Sequence, residues 1–203
     1  MSLFPIFLKL DDRPCLVVGG GTIGQGKIRS LITAGARVRV VAPHATATVG
    51  EWARAGVITW ERRNFEASDL DGVVLVVAAT NSTAANEIIF REAQRRNILC
   101  NAVDDPERCD FYYPAVVRRG NLQVAISTAG HSPALAQRLR RELEAQFGSE
   151  YAGWLEQLRE MRRQLFASDI APDDRRHLLH ELASRSAFES ATGASLRSKE
   201  EIS

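Results

Sequence analysis

Six residues set between a short apolar run and a helical pattern limit what this chain can fold into. Residues 15–18 are apolar, and Gly19-Gly20-Gly21-Thr22-Ile23-Gly24 follow as a G-x-G-x-x-G turn. Between a strand and a helix, such a turn is the phosphate loop of a dinucleotide-binding βαβ unit. Gly19 lets the chain turn sharply. Gly21 removes the side chain that would keep a pyrophosphate off the backbone, and Gly24 lets the helix pack close to the strand. The N–H groups of the first helical turn, at Thr22 and Ile23, then face the phosphates.

The pattern beyond the loop repeats this unit. Ile28, Leu31 and Ile32 recur at helical spacing, with Lys27, Arg29 and Ser30 on the solvent side, until Gly35 ends the helix. Residues 38–42 read as a second strand that Pro43 interrupts, 49–55 as a short helix and 57–60 as a third strand. Residues 73–78, nearly all β-branched, read as a central strand buried on both faces. Asn81 or Ser82 caps the next helix, whose Ala85, Ile88, Ile89 and Ala93 form one apolar face, and 99–103 is a fifth strand. This alternation predicts an α/β fold with a Rossmann-type parallel sheet carrying helices on both faces.

Past Tyr112 the pattern changes. Residues 115–118 and 122–127 flank Arg119-Gly120-Asn121 as a β-hairpin, and Ser132-Pro133 starts a helix with Leu135, Leu139, Leu143 and Phe147 at i, i+4 intervals. A hairpin and one helix bury themselves poorly alone, so they pack either on a second copy of the chain or on the flank of the first domain. Helices follow over 151–166, with Trp154, Leu155, Leu158, Met161 and Leu165 along one side, and from Pro172. The expected division is 1–112 for nucleotide binding, 113–147 for a small α+β domain, 148–189 for a helical domain and 190–203 for a loose tail.

Composition narrows the function classes. With a net charge of +1, nothing draws the chain as a whole to nucleic acid or membrane. The longest uncharged apolar segment, 73–79, is too short to span a bilayer, and the first residues lack a signal-peptide pattern, so the expected location is the cytoplasm. Three cysteines without CxxC spacing suggest neither a disulfide framework nor a zinc site. His177 and His180 share a helix face beside Arg175 and Arg176 and read as solvated, so no metal site is expected.

Ligands of an open parallel sheet sit beyond the C-terminal ends of its strands. There the sequence puts the glycine loop, Pro43 and His44, Thr80 and Asn81, and 101–105. A dinucleotide along this rim has its nicotinamide towards Thr80 and Asn101. No acid stands at the end of the second strand to bind a ribose 2′-OH, which leaves that task to backbone groups at Pro43 and His44. No arginine directly follows to take a 2′-phosphate, which favours NAD over NADP. Asp104 and Asp105, before Pro106, are either proton acceptors or turn formers.

Several runs, in order, resemble one family: Phe4-Pro5-Ile6-Phe7, Val17-Val18-Gly19-Gly20-Gly21, Val41-Ala42-Pro43, Ala78-Ala79-Thr80, Asn101-Ala102-Val103-Asp104, and Ser127-Thr128-Ala129-Gly130-His131-Ser132-Pro133-Ala134-Leu135-Ala136. Together they are similar to the precorrin-2 dehydrogenase module of siroheme synthase, from about Ser2 to Phe166. The resemblance implies NAD-dependent oxidation of precorrin-2 to sirohydrochlorin, with ferrous iron inserted at the same site in some members. It also implies a homodimer in which the hairpin and following helix are exchanged, so that segment becomes a dimerisation domain.

By the same resemblance, Asp104 is the general acid/base, and Asp105 stays a turn residue. Ser127, Thr128, Gly130 and His131 line the tetrapyrrole cleft. Thr128 keeps the hydroxyl where some relatives carry a serine that can be phosphorylated. A polycarboxylate substrate suits the arginines at 118, 119, 138, 140 and 141, of which two or three are expected to touch it, Arg118 and Arg138 foremost. The residues after Phe166 are too few for the methyltransferase domain of fused members, so methylation of the substrate is expected from another protein. The competing class is a non-catalytic NAD(H)-sensing domain, which needs neither Asp104 nor an arginine-rich hairpin.

Overall fold

A computed structural model describes residues 3–193 of the chain. They form two compact units, which divide between Tyr113 and Pro114. In the first unit, strands β1 (Pro14–Gly20), β2 (Arg37–Ala45), β3 (Thr59–Glu61), β4 (Leu75–Ala78) and β5 (Leu99–Ala102) make one sheet in the order β3-β2-β1-β4-β5. Every pairing in it is parallel. Helices α1 (Thr22–Thr33), α2 (Ala47–Arg54) and α3 (Thr83–Arg95) are the crossovers.

Strand residues alternate between two buried layers, as the two-residue pleat requires. Leu16, Val18, Val76, Ala78 and Cys100 meet Leu70, Ile89 and Ala93 on one side of the sheet. Cys15, Val17, Val38, Val40 and Val77 meet Ile28 and Leu31 of α1 and Val49 of α2 on the other. Each fully buried Leu, Ile or Val stabilises the fold by about 1.5–3 kcal/mol, which makes the sheet a rigid base for the loops at its C-terminal edge.

In this unit the structure departs from the sequence reading in β2 and on α3. Pro43 does not end β2, because the β1–β2 register shifts there: from Val18↔Val41 to Gly20↔Ala45, β1 advances two residues while β2 advances four. Pro43 and His44 occupy this bulge, beyond the end of β3, where a missing N–H costs no ladder bond. On α3 the buried face carries Asn86, Ile89 and Ala93, while Ile88 is 56% exposed.

A charged cluster ties β2, β3 and the 3₁₀ turn Ala67–Leu70 together. The Asp69 carboxylate, 2% exposed, receives Arg39 at 2.9 Å, Arg63 at 2.6 and 2.8 Å, and the Glu66 N–H at 2.8 Å. Both guanidiniums also reach Glu61. Burial alone would push Asp69 up, but the Arg63 hydrogen bonds, the Glu66 amide and the charges of Arg63 and Arg39 outweigh it and hold its carboxyl below the ordinary value. Glu61 is lowered chiefly by its Arg39 bond. Depressed carboxylates stabilise the fold above their unfolded values, and that share is lost as pH falls through the folded ones. Stability is therefore expected to drop below about pH 4. Asp69→Ala, which leaves two guanidiniums without their shared partner, is expected to cost about 3 kcal/mol at neutral pH and to flatten the acid dependence, as denaturant titrations across pH would read.

The second unit holds the hairpin β6 (Ala115–Arg119) and β7 (Leu122–Ile126), then α4 (Pro133–Gln146), α5 (Glu150–Ala167), α6 (Pro172–Leu182) and α7 (Arg185–Thr192). The hairpin and the α5 stripe match the sequence pattern, and Ser132 caps α4 through Leu135 N. The segment after Pro172 is two helices rather than one. Ser184 caps α7, which runs past Ser190 to a left-handed Gly193, so the expected tail begins inside a helix, and residues 194–203 lie outside those described. Phe188 of α7 is 1% exposed and packs on Tyr151 (4.4 Å between centroids) and Trp154 (5.0 Å). Among the described residues no helix is long and apolar enough to cross a membrane.

Candidate active site

A cleft of about 700 Å³ opens at the C-terminal edge of the parallel sheet. Gly21, Thr22 and Ile23 form one wall, at the start of α1. Ala79, Thr80, Asn81, Thr83 and Asn86 form another, between β4 and α3, and Val103, Asp104 and Asp105 a third, after β5.

Three glycines shape the first wall by different means. Gly19 has φ +113°, and a Cβ there would lie 2.2 Å from the Ala79 carbonyl oxygen; one at Gly24 would lie 2.2 Å from Gly19 O. Both positions draw α1 and the β4 end tightly against β1. A Cβ at Gly21 would meet nothing within 4 Å, because it points into open space. Gly20, an unrestricted position in the motif, is also closed to side chains here, since its Cβ would sit 2.5 Å from Ala45 Cβ.

No side chain caps α1, whereas Thr46 caps α2 and Ser82 caps α3. The amides of its first turn are left for a ligand, and the helix dipole favours an anion there. An open, uncapped helix start behind a glycine with room for a group in front of it fits the pyrophosphate of a dinucleotide.

The second wall is held by a residue that the sequence analysis does not single out. Asn86 is buried, and its Oδ1 accepts from Thr80 Oγ1 at 2.7 Å and Thr80 N at 3.3 Å, while its Nδ2 donates to Thr80 O at 3.3 Å. Ser82 N also donates to the Thr80 hydroxyl. Thr80, a lining residue, thus has its polar groups occupied within the wall. Asn81 and Thr83 make no side-chain hydrogen bond among the described residues and remain available.

The third wall carries the carboxylates. Arg108 holds Asp105 in an ion pair and lies 3.7 Å from Glu87. Asp104 is left-handed at φ 62°, exposed, and without a hydrogen bond or ion pair among the described residues. The loop beneath it is braced. Cys109 Sγ donates to Ala102 O or Asp105 O, each at 3.1 Å, and Asp110 accepts from Cys100 N at 2.9 Å. Burial pushes Cys15 up to about 11 and Cys100 to about 12 and raises Cys109 as well, so none is a ready nucleophile.

Of the other positions expected at the rim, Asn101 is buried and donates to Phe111 O at 2.8 Å, so it braces the loop instead of lining the cleft. Pro43 and His44 are exposed in the β2 bulge, outside the cleft lining. Arg39, held by Glu61 and Asp69, is not free to meet a 2′-phosphate.

In the second unit, Ser127 Oγ accepts from Ala129 N and Thr128 Oγ1 from Ser132 N, around left-handed Ala129 and Gly130; His131 is exposed. Arg119 donates to Phe147 O and Glu144 O, closing the end of α4, and Arg140 pairs with Glu144. Arg118 makes one bond, to Gln123, and Arg138 lies 3.4 Å from Glu142, both on the surface. Among the described residues no group of three or more His, Cys, Asp or Glu side chains could hold a metal ion.

Comparison with known proteins places this geometry. A family model described as putative NAD(P)-binding matches residues 6–115, and one described as sirohaem biosynthesis protein central matches 119–146. The siroheme synthases of Methylococcus capsulatus and Methylobacillus flagellatus are 40% and 44% identical over 87% and 83% of this chain. The match spans 37% of each of those proteins. A solved structure of SirC, a precorrin-2 dehydrogenase, superposes with a TM-score of 0.79 at 30% identity, covering 92% of both chains. With a dinucleotide cradle in one unit, a siroheme-type segment in the next and likeness along nearly the whole of SirC, the chain belongs to the family of precorrin-2 dehydrogenases and siroheme synthases.

Proposed function

We propose that this chain oxidises precorrin-2 to sirohydrochlorin with NAD, as a cytoplasmic homodimer. The observation that carries the reading is one cleft with an uncapped glycine-loop helix start on one wall and an unpaired carboxylate, Asp104, on another. The reaction removes a hydride and a proton from the reduced macrocycle. Bound NAD supplies the hydride acceptor. The backbone amides of Thr22 and Ile23 hold the pyrophosphate, Thr80 and the Ile23 side chain give a seat to the flat ring, and Asp104 accepts the proton and passes it to water.

Arg118, Arg138 and the loop of Ser127, Thr128, Gly130 and His131 hold the carboxylate-rich substrate. The homodimer is supported by α4, whose Leu135 is 38% exposed while Leu139 and Leu143 are only half-buried. All three cysteines are free thiols, as a reducing compartment requires. The same carboxylate can take up protons from pyrrole nitrogens as ferrous iron, a substrate, enters sirohydrochlorin.

The test is an anaerobic assay of the purified chain with precorrin-2 and NAD. The expected result is the sirohydrochlorin absorbance growing in step with NADH. If NADH binds tightly but no tetrapyrrole binds or reacts, the sensing-domain alternative replaces this reading. Chelation is tested separately, with sirohydrochlorin and ferrous ion in the absence of NAD; insertion no faster than in buffer limits the chain to oxidation.

A further inference from the structure

Asp104 stands in a turn that its own residue type does not dictate. Asp105 N donates to Ala102 O at 3.2 Å, which makes Asp104 the third residue of a β-turn from Ala102 to Asp105, at φ 62°. Glycine and asparagine are the usual occupants of that position, and another side chain stays left-handed only where its surroundings hold it there. On one side Val103 N is tied to Ala78 O of β4 at 2.9 Å. On the other side the tie is Cys109. Its Sγ lies 3.1 Å from both Ala102 O and Asp105 O, the two ends of the turn, and accepts from Asn101 Nδ2 at 3.2 Å. Asn101 is buried, its amide also donates to Phe111 O, and an antiparallel backbone bridge sets it beside Cys109. Burial raises the Cys109 thiol above its ordinary value, so it keeps its proton at neutral pH and remains a donor.

We propose that Cys109 is a positioning residue for Asp104: its thiol, anchored by Asn101 and donating across the turn to Ala102 O and Asp105 O, holds the left-handed backbone that sets Asp104 in the cleft wall. The proposal rests on the dehydrogenase reading for its effect on turnover, but not for the hold on the turn. Asp104 makes no hydrogen bond or ion pair of its own among the described residues, so its placement comes from its backbone. A proton acceptor displaced by a fraction of its reach loses much of its rate. The thiol carries one proton that can serve either carbonyl, so the contact bridges both ends of the turn.

Two measurements on the full chain test this. Cys109→Ala and Cys109→Val both remove the donor, one leaving space and the other filling it on an extended backbone (φ −125°, ψ 116°) that valine favours. An effect shared by the two is therefore not one of packing. Cys109→Ser keeps a donor and an acceptor. A left-handed residue holds its amide hydrogen close to its own Hα, so Asp104 is expected to show a strong intraresidue NMR cross-peak in the wild type and the serine variant and a weakened one in the other two. A cross-peak of full strength in both alanine and valine variants overturns the hold on the turn, whether or not the chain is a dehydrogenase. In the assay, both are expected to lower kcat about tenfold with KM for NAD within about twofold of wild type, and serine to recover most of the loss. Full kcat in either, or a serine variant no better than alanine, overturns the role in turnover. If the wild type itself does not oxidise precorrin-2, the functional reading falls and the cross-peak alone decides whether the thiol holds the turn.

Discussion

Asp104→Asn is expected to abolish oxidation of precorrin-2 while leaving the fold and cofactor binding intact. The residue is exposed, makes no hydrogen bond or ion pair among the described residues, and stands in a left-handed turn that asparagine tolerates well. Nothing in the structure is lost with its charge, so the thermal midpoint should stay within about 1–2 °C of wild type, as for a surface change worth less than 0.5 kcal/mol. Loss of a positioned proton acceptor typically lowers a rate by about 10²–10⁴-fold, and kcat should fall by that order with NADH affinity unchanged. Asp105→Asn should show the reverse pattern: it removes the Arg108 ion pair and weakens the loop but leaves the proton acceptor in place. If both variants retain wild-type kcat, the proton leaves by another route and the assignment of the third wall fails.

The sheet is legible in the sequence because its apolar runs are bounded by glycines and its strands alternate regularly with helices. The cradle is legible because glycine marks backbone that side chains cannot occupy, at Gly19 and Gly24 above all. What escapes the sequence is polar residues with buried roles. Asn86 lies three and seven residues before Ile89 and Ala93, in phase with the core, yet an amide on that face reads as a break in the apolar pattern until its Thr80 partner is seen. Lys27 reads as solvent-facing for the same reason, although it is half-buried with its ammonium over the Tyr113 ring. Arg119 reads as one of five arginines that could meet substrate, because charge alone does not reveal that carbonyls at the end of α4 already accept from it. Pro43 shows the converse limit: a residue that breaks regular strands is accommodated where the register itself is broken.

The two glycines that flank the start of α1 separate binding from folding. In Gly21→Ala the new methyl group projects into open space, and the backbone at φ −72°, ψ −175° suits alanine, so no strain follows. Stability should be equal to wild type or higher by about 0.4–1 kcal/mol, because alanine narrows the unfolded ensemble. The methyl group nevertheless occupies the space where a pyrophosphate meets the helix amides, and NADH affinity is expected to fall at least about tenfold, or 1.4 kcal/mol. In Gly24→Ala the methyl group meets a backbone oxygen at 2.2 Å, one that cannot rotate away. Helix α1 must then lift from β1, and about 1–3 kcal/mol of stability should be lost together with cofactor binding. Denaturant unfolding and NADH fluorescence titration of the two variants read these outcomes. A Gly21→Ala protein that binds NADH like wild type would remove the loop from the cofactor site. A Gly24→Ala protein of full stability would show that the close approach of α1 to β1 is not what this glycine provides.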